Sequence, residues 1–124
     1  MTCTKENNKT ELEEDLPECS KCGKDGIIKL QHGSLCKNHF LNYFEDKVFK
    51  TIKKHKLYDK EDKICVAASG GKDSTVALHL TKKYFQKYNF PMENFFALLI
   101  NEGIEQHRDE SLRNLEKFCD KEGI

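Results

Sequence analysis

Residues 69–74, Ser69-Gly70-Gly71-Lys72-Asp73-Ser74, are of the types that hold phosphate. Adjacent glycines let a backbone turn tightly and approach a ligand with no Cβ in between. Lys72 adds a point charge, and Ser69 and Ser74 add hydroxyls that reach phosphate oxygens. Asp73 is placed either to cap a following helix or to hold a magnesium ion through a carboxylate oxygen. If a helix follows, its first amides are unpaired donors at the positive end of its dipole, and an anion belongs there.

The flanking residues predict that setting. Lys63-Ile64-Cys65-Val66-Ala67-Ala68 shows no polar alternation after Lys63, as expected of a strand covered on both faces. Val76, Ala77, Leu80, Tyr84 and Tyr88 then recur at helical spacing, predicting a helix over about 73–88. The Walker loop requires a glycine five residues before its Gly-Lys pair and Ser or Thr after the lysine. Val66 and Asp73 stand at those places, so a triphosphate would sit differently here. The bland alternative is a glycine turn with an incidental lysine.

A second group has metal-binding chemistry. Cys19-x-x-Cys22 and Cys36-x-x-His39 are separated by thirteen residues, the spacing of a zinc knuckle. Asp25 to Leu35 reads as a hairpin, with Ile27, Ile28 and Leu30 leading to turn residues His32-Gly33-Ser34. Cys36 and His39 then fall one turn apart on a helix. A redox Cys-x-x-Cys is expected to follow a strand and open a helix, whereas this one precedes the hairpin. A closed four-ligand site serves folding or docking. His32 is a less regular competitor for the fourth position, and Cys3, Cys65 and Cys119 read as incidental or structural, Cys65 in a strand core.

The elements between these groups follow from apolar spacing. Phe40, Leu41, Phe44, Val48 and Ile52 trace a helical stripe through 38–56, joining the knuckle to the glycine loop. Phe95 to Ile100 predicts a second buried strand, parallel to the first, and Leu112, Leu115 and Cys119 the inward face of a helix over about 107–122. Gly123-Ile124 reads as the start of another strand. Asn101-Glu102-Gly103-Ile104 leaves the carboxyl end of the second strand, the edge where ligands bind in open α/β sheets. The expected organisation is a disordered tail over 1–18, a zinc knuckle over 19–40, a basic connecting helix over 41–62 and an incomplete nucleotide-binding α/β domain over 63–124.

Composition bounds the function. Basic and acidic residues balance at 21 each, which argues against bulk binding to polyanions, yet Lys47 to Lys56 holds five lysines and no acid. That run suits a solvated helix face or nucleic-acid contact equally. No apolar run reaches the eighteen or so residues of a membrane span, and the first residues lack a signal-peptide pattern, so a cytoplasmic address with reduced thiols is expected.

Together, the knuckle, the basic helix, Ser-Gly-Gly-Lys-Asp-Ser and Asn101-Glu102-Gly103-Ile104 followed by Arg108-Asp109 resemble the amino-terminal part of the tRNA 2-thiolation proteins of the TtcA/TtuA family. The likeness is to the archaeal and eukaryotic cytoplasmic branch, within the PP-loop ATP pyrophosphatase superfamily, and spans about Cys19 to Ile124. It implies a Rossmann-like, adenine nucleotide alpha hydrolase-like sheet, ATP-dependent adenylation of a tRNA uridine 2-oxygen, and replacement of that oxygen by sulfur. It also implies Cys19, Cys22, Cys36 and His39 as zinc ligands. Ser69, Gly70, Gly71, Lys72, Asp73 and Ser74 would form the ATP pyrophosphate site, and Ala67, Ala68 and Ile100 strand-end contacts to base and ribose. Lys72 and Asp73 would be catalytic, with Mg2+ as cofactor and tRNA, a ubiquitin-like sulfur donor and a homodimeric copy as partners. The family's usual aspartate is replaced by Asn101, and its later cysteines, which hold an iron-sulfur cluster, have no counterpart in Cys65 or Cys119. Two other readings are kept: a PP-loop enzyme of tRNA lysidine or amide synthesis, and a non-catalytic zinc and RNA-binding module.

Overall fold

The structure, a computed structural model, describes residues 16–101, 103 and 108–124. The expected tail falls largely on residues 1–15, and Cys3, Glu102 and Ile104 also lie outside the described residues. The chain divides into two compact units, Met1–Phe44 and Glu45–Ile124.

In the first unit, β1 (Ile28–Leu30) and β2 (Gly33–Leu35) form an antiparallel hairpin in register Ile28↔Leu35, Lys29↔Ser34, Leu30↔Gly33. The turn is therefore Gln31-His32, one step earlier than the spacing suggested, and Gly33-Ser34 already belongs to β2. A knuckle precedes the hairpin: the Cys19 amide donates to Lys24 O at 2.7 Å and the Gly23 amide to Cys19 O at 2.8 Å. The Ser20 amide donates to Ser34 O at 2.9 Å, fastening the knuckle to β2. Helix α1 (Lys37–His55) opens directly after Cys36, whose carbonyl accepts from the Phe40 amide. Cys19, Leu35 and Cys36 are buried, with Ile28, Leu30, Phe40 and Tyr43 packed on them.

The second unit holds the rest of α1, β3 (Ile64–Ala67), α2 (Lys72–Lys87), a 3-10 turn at Met92–Asn94, β4 (Phe95–Leu98) and α3 (Arg108–Glu122). β3 and β4 pair in parallel, from Ile64↔Phe95 to Ala67↔Leu98, with α2 as the crossover. The α/β class and parallel sheet read from the sequence are what the structure has. The expectation of two covered faces fails. α2 packs against β3 and α3 against α2, which covers one side, while on the other Cys65 and Ala67 are exposed and Phe96 and Leu98 are 47% and 48% accessible. Cys65 is thus not a core residue.

The core of this unit is aromatic. Phe49, Leu78 and Phe85 are almost fully enclosed, and each contributes about 1.5–3 kcal/mol by leaving water. Phe49 meets Tyr84 edge-on at 5.4 Å between ring centroids, and Phe85 meets Phe95 at 5.5 Å. Both helices are turned from the stripes read in the sequence. In α2 the enclosed positions are Leu78, Thr81 and Phe85, with Leu80 and Tyr84 beside them, whereas Val76 and Ala77 face outward. In α1 it is Phe49 with Ile52, and Leu41 and Phe44 are exposed.

All three helices end alike. An amide two or three residues past the helix donates to the carbonyl five residues back: Leu57 to Ile52 O, Phe90 to Phe85 O, Ile124 to Cys119 O. Between them Lys56, Asn89 and Gly123 take φ of 48°, 54° and 69°, the left-handed residue of a Schellman cap. Gly123 thus closes α3, and Ile124 returns its side chain to the core.

Candidate functional site

The glycine loop leaves the carboxyl end of β3 and runs into α2, whose N-cap is Gly71 and whose first residue is Lys72. Asp73 therefore lies inside the first turn and does not cap it; no side chain does. The amides of Lys72, Asp73 and Ser74 have no acceptor within the helix and form the donor end of its dipole. Lys72 and Asp73 are both exposed.

The hydroxyls hold the loop in shape. Ser74 Oγ accepts from the Ser69 amide at 3.2 Å and donates to Gly71 O at 3.1 Å, while Ser69 Oγ accepts from the Gly71 amide at 3.3 Å. Ser69 Oγ and Ser74 Oγ are 3.3 Å apart. Thr75, which the sequence reading passed over, donates its hydroxyl to Gly71 O at 2.8 Å; its place next to the Ser74 hydroxyl was the available signal. Gly70 has φ +79°, and a Cβ there would lie 2.6 Å from Ser111 O, so helix α3 passes directly over the loop.

Beside the loop, Ala67, Ala68, Ser69, Leu98 and Ile100 line a cleft of about 250 Å³ at the carboxyl ends of both strands. The Ala68 amide is spent on the ladder, donating to Leu98 O at 2.7 Å, so it is not a donor to a ligand. Past β4, Asn101 Oδ1 accepts from the Gly103 amide at 3.0 Å, a local turn made by the residue that departs from the family pattern. Arg108 and Asp109 form the first turn of α3, where Asp109 is exposed.

In the first unit, the donor atoms of Cys19, Cys22, Cys36 and His39 all lie within 4.8 Å of one another. Cys22 Sγ and Cys36 Sγ are 3.7 Å apart, and His39 Nδ1 is 3.4 Å from Cys19 Sγ and 3.3 Å from Cys36 Sγ. Tetrahedral zinc with bonds of about 2.3 Å to sulfur and about 2.0–2.1 Å to nitrogen needs edges of about 3.8 Å and about 3.5 Å. The donor set therefore fits that ion. Burial pushes the Cys19 thiol up, but backbone hydrogen bonds at Cys36, Lys21 and Cys22 outweigh it and bring it down to about 6. At Cys22 the backbone hydrogen bond at Lys24 pulls down, yet desolvation, hydrogen bonds to the Cys19 and Cys36 sulfurs and the Cys19 charge together push its thiol up. One thiolate forms readily and opposes the next, a conflict that a dication removes. His32 is not in this cluster. Elsewhere, burial and then the Asp120 charge raise the Cys119 thiol, which keeps it protonated.

An α/β unit with a glycine loop between strand and helix defines a nucleotide-binding domain. The PP-loop domain profile matches residues 35–124, and the chain belongs to that family. Over 110 residues it is 36% identical to cytoplasmic tRNA 2-thiolation protein 1 of Malassezia globosa, covering 86% of this chain and 29% of that protein. It is 38% identical over 104 residues to the tRNA-5-methyluridine(54) 2-sulfurtransferase of Pyrococcus horikoshii, covering 82% and 31%. The enzyme of the same name from Thermotoga maritima is 47% identical over 68 residues, covering 53% and 22%. The chain thus spans less than a third of the length of these relatives.

Proposed function

We propose that this chain carries the ATP-binding and zinc-binding part of a tRNA uridine 2-thiolation enzyme, working in the cytoplasm. The observation that carries the reading is the Ser69 to Ser74 loop at a helix N-terminus, with a cleft at the adjoining strand ends. The relatives' names supply tRNA, sulfur transfer and, for one of them, the cytoplasm; no described helix is long and apolar enough to cross a membrane.

Adenine and ribose occupy the cleft between Ala67 and Ile100, leaving the phosphates over Gly70, Gly71 and the first amides of α2. The uridine 2-oxygen attacks the α-phosphorus, the bond to the β-phosphate oxygen breaks, and pyrophosphate leaves. Lys72 offsets the charge that builds on that leaving group, and Asp73 is the carboxylate available to Mg2+. Sulfide-level sulfur from a donor protein then attacks C2, the C2–oxygen bond breaks, and AMP departs with that oxygen. Cys65 and Cys119 do not form the paired cysteines that handle sulfur in the family, so these 124 residues alone bind ATP without thiolating. Cys19, Cys22, Cys36 and His39 would hold zinc, which when bound supplies a structural crosslink with every position taken by protein.

The test is ATP binding by titration calorimetry, and AMP release with unmodified tRNA in a form of the protein as long as its relatives. Lys72→Ala should abolish AMP release; unchanged release would sink the reading. Adenylation of a different acceptor would move the chain to another branch of PP-loop enzymes.

A further inference from the structure

Three donors converge on the carbonyl oxygen of Gly71, the N-cap of α2. The Thr75 hydroxyl reaches it at 2.8 Å, the Ser74 hydroxyl at 3.1 Å and the Thr75 amide at 3.1 Å. The Gly71 amide is held as well, by Ser69 Oγ at 3.3 Å. Gly71 and Lys72 share a trans peptide, in which C=O and N–H point in opposite directions. Directing the Gly71 carbonyl into the helix therefore directs the Lys72 amide out of it, at the end of α2 where the first amides lack intrahelical acceptors. Hydrogen bonds polarise the peptide they meet, so donors on its carbonyl also strengthen the N–H at its other end. A threonine hydroxyl bonded four residues back is ordinary in a helix, and Thr51 makes the same bond to Lys47 O at 2.9 Å. That carbonyl lies in the interior of α1, where the next amide already has its acceptor one turn back. At Gly71 the next amide is a donor waiting for a ligand.

We infer that Thr75 is a positioning residue for the nucleotide: its hydroxyl fixes the Gly71–Lys72 peptide so that the Lys72 amide meets a phosphate oxygen. Ser74 cannot hold this peptide alone. Its hydroxyl also accepts from the Ser69 amide at 3.2 Å and lies 3.3 Å from Ser69 Oγ, on the loop itself. A phosphate that draws the Ser74 hydroxyl to itself leaves Thr75 as the side chain still bonded to Gly71 O. The inference deepens the proposed function and rests on it for the ligand, a nucleotide polyphosphate, to which the PP-loop match and the adjoining cleft of about 250 Å³ point.

The experiment titrates the 124-residue chain with inorganic pyrophosphate and, separately, with ATP by calorimetry, and follows the Lys72 amide in proton–nitrogen correlation spectra. Thr75→Val removes the hydroxyl and keeps the branched shape. It should weaken both ligands about fivefold, the typical worth of one hydrogen bond. It should also reduce the downfield shift of the Lys72 amide proton at saturating pyrophosphate. Thr75→Ser should restore affinity and shift together, which a folding defect would not allow. Thr51→Val, which loses the same kind of bond in α1, should leave both unchanged. Equal affinity and an equal Lys72 shift in Thr75→Val would overturn the inference while leaving the ATP reading in place. Failure of serine to rescue, or an equal loss in Thr51→Val, would overturn it too. The same valine and serine contrast with pyrophosphate, in a chain that does not bind ATP, would remove the ATP reading and uphold the role of Thr75. Failure of the unaltered chain to bind either ligand would overturn both.

Discussion

Gly70 lies so close under Ser111 that a Cβ on the glycine would sit 2.6 Å from the serine carbonyl oxygen and 2.7 Å from its Cβ. The phosphate loop and the first turns of α3 are therefore packed backbone to backbone, and the residue that turns the loop is also the one that admits the helix.

Gly70→Ala should destabilise the protein by about 1–3 kcal/mol, from a left-handed alanine and from the displaced helix. ATP affinity should fall with it. Gly103→Ala is the control: its φ is +73° but no atom lies within 4 Å, so only the conformational part is lost, about 1 kcal/mol. Urea denaturation of the two variants measures the difference.

Metal analysis of the purified protein should find about one zinc per chain, and Cys22→Ser should remove it. Hydrogen exchange over residues 19–40 should then rise, because the metal holds what the small Cys19, Leu35 and Cys36 core cannot. Exchange unchanged by metal loss would show that the hairpin stands without it.

Lys56→Gly should stabilise. A lysine in the left-handed region costs about 1–2 kcal/mol, partly offset by the greater freedom of glycine in the unfolded chain, so a net gain of about 0.5–1 kcal/mol is expected from thermal melts.

Glu122 binds Lys82 Nζ at 3.0 Å and faces His79 Nδ1 at 3.6 Å, joining the end of α3 to α2. The Lys82 hydrogen bond, outweighing desolvation and helped by the Lys82 charge and by His79, holds its carboxyl below the ordinary range. A carboxylate depressed on folding stabilises above its unfolded pKa of about 4.3 and loses that contribution as pH falls through the lower folded value. Glu122→Gln should therefore be less stable than the unaltered protein at neutral pH and converge with it toward pH 3 and below; chemical denaturation at several pH values reads the convergence.

What was legible in the sequence had its chemistry in short spacings. Four ligands in two pairs and six loop residues in a row need only local geometry, and the structure gathers the first set within 4.8 Å and sets the second at a helix start. What was not legible depended on which neighbour covers which side. A short apolar run fits a strand buried on one face or two, so the outward Cys65 and Phe96 could not be told from core. Phe49 and Leu78 were missed because apolar residues lie on more than one side of α1 and α2, and tertiary contacts with Tyr84 and its neighbours choose between them.

The aromatic core has an optical consequence. The protein has no tryptophan and four tyrosines, of which Tyr58, Tyr84 and Tyr88 stand within 5.6 Å of one another through Tyr84 while Tyr43 belongs to the other unit. The near-ultraviolet dichroism and intrinsic emission of the chain are thus dominated by coupled phenols in the second unit, and unfolding of that unit can be followed without a label.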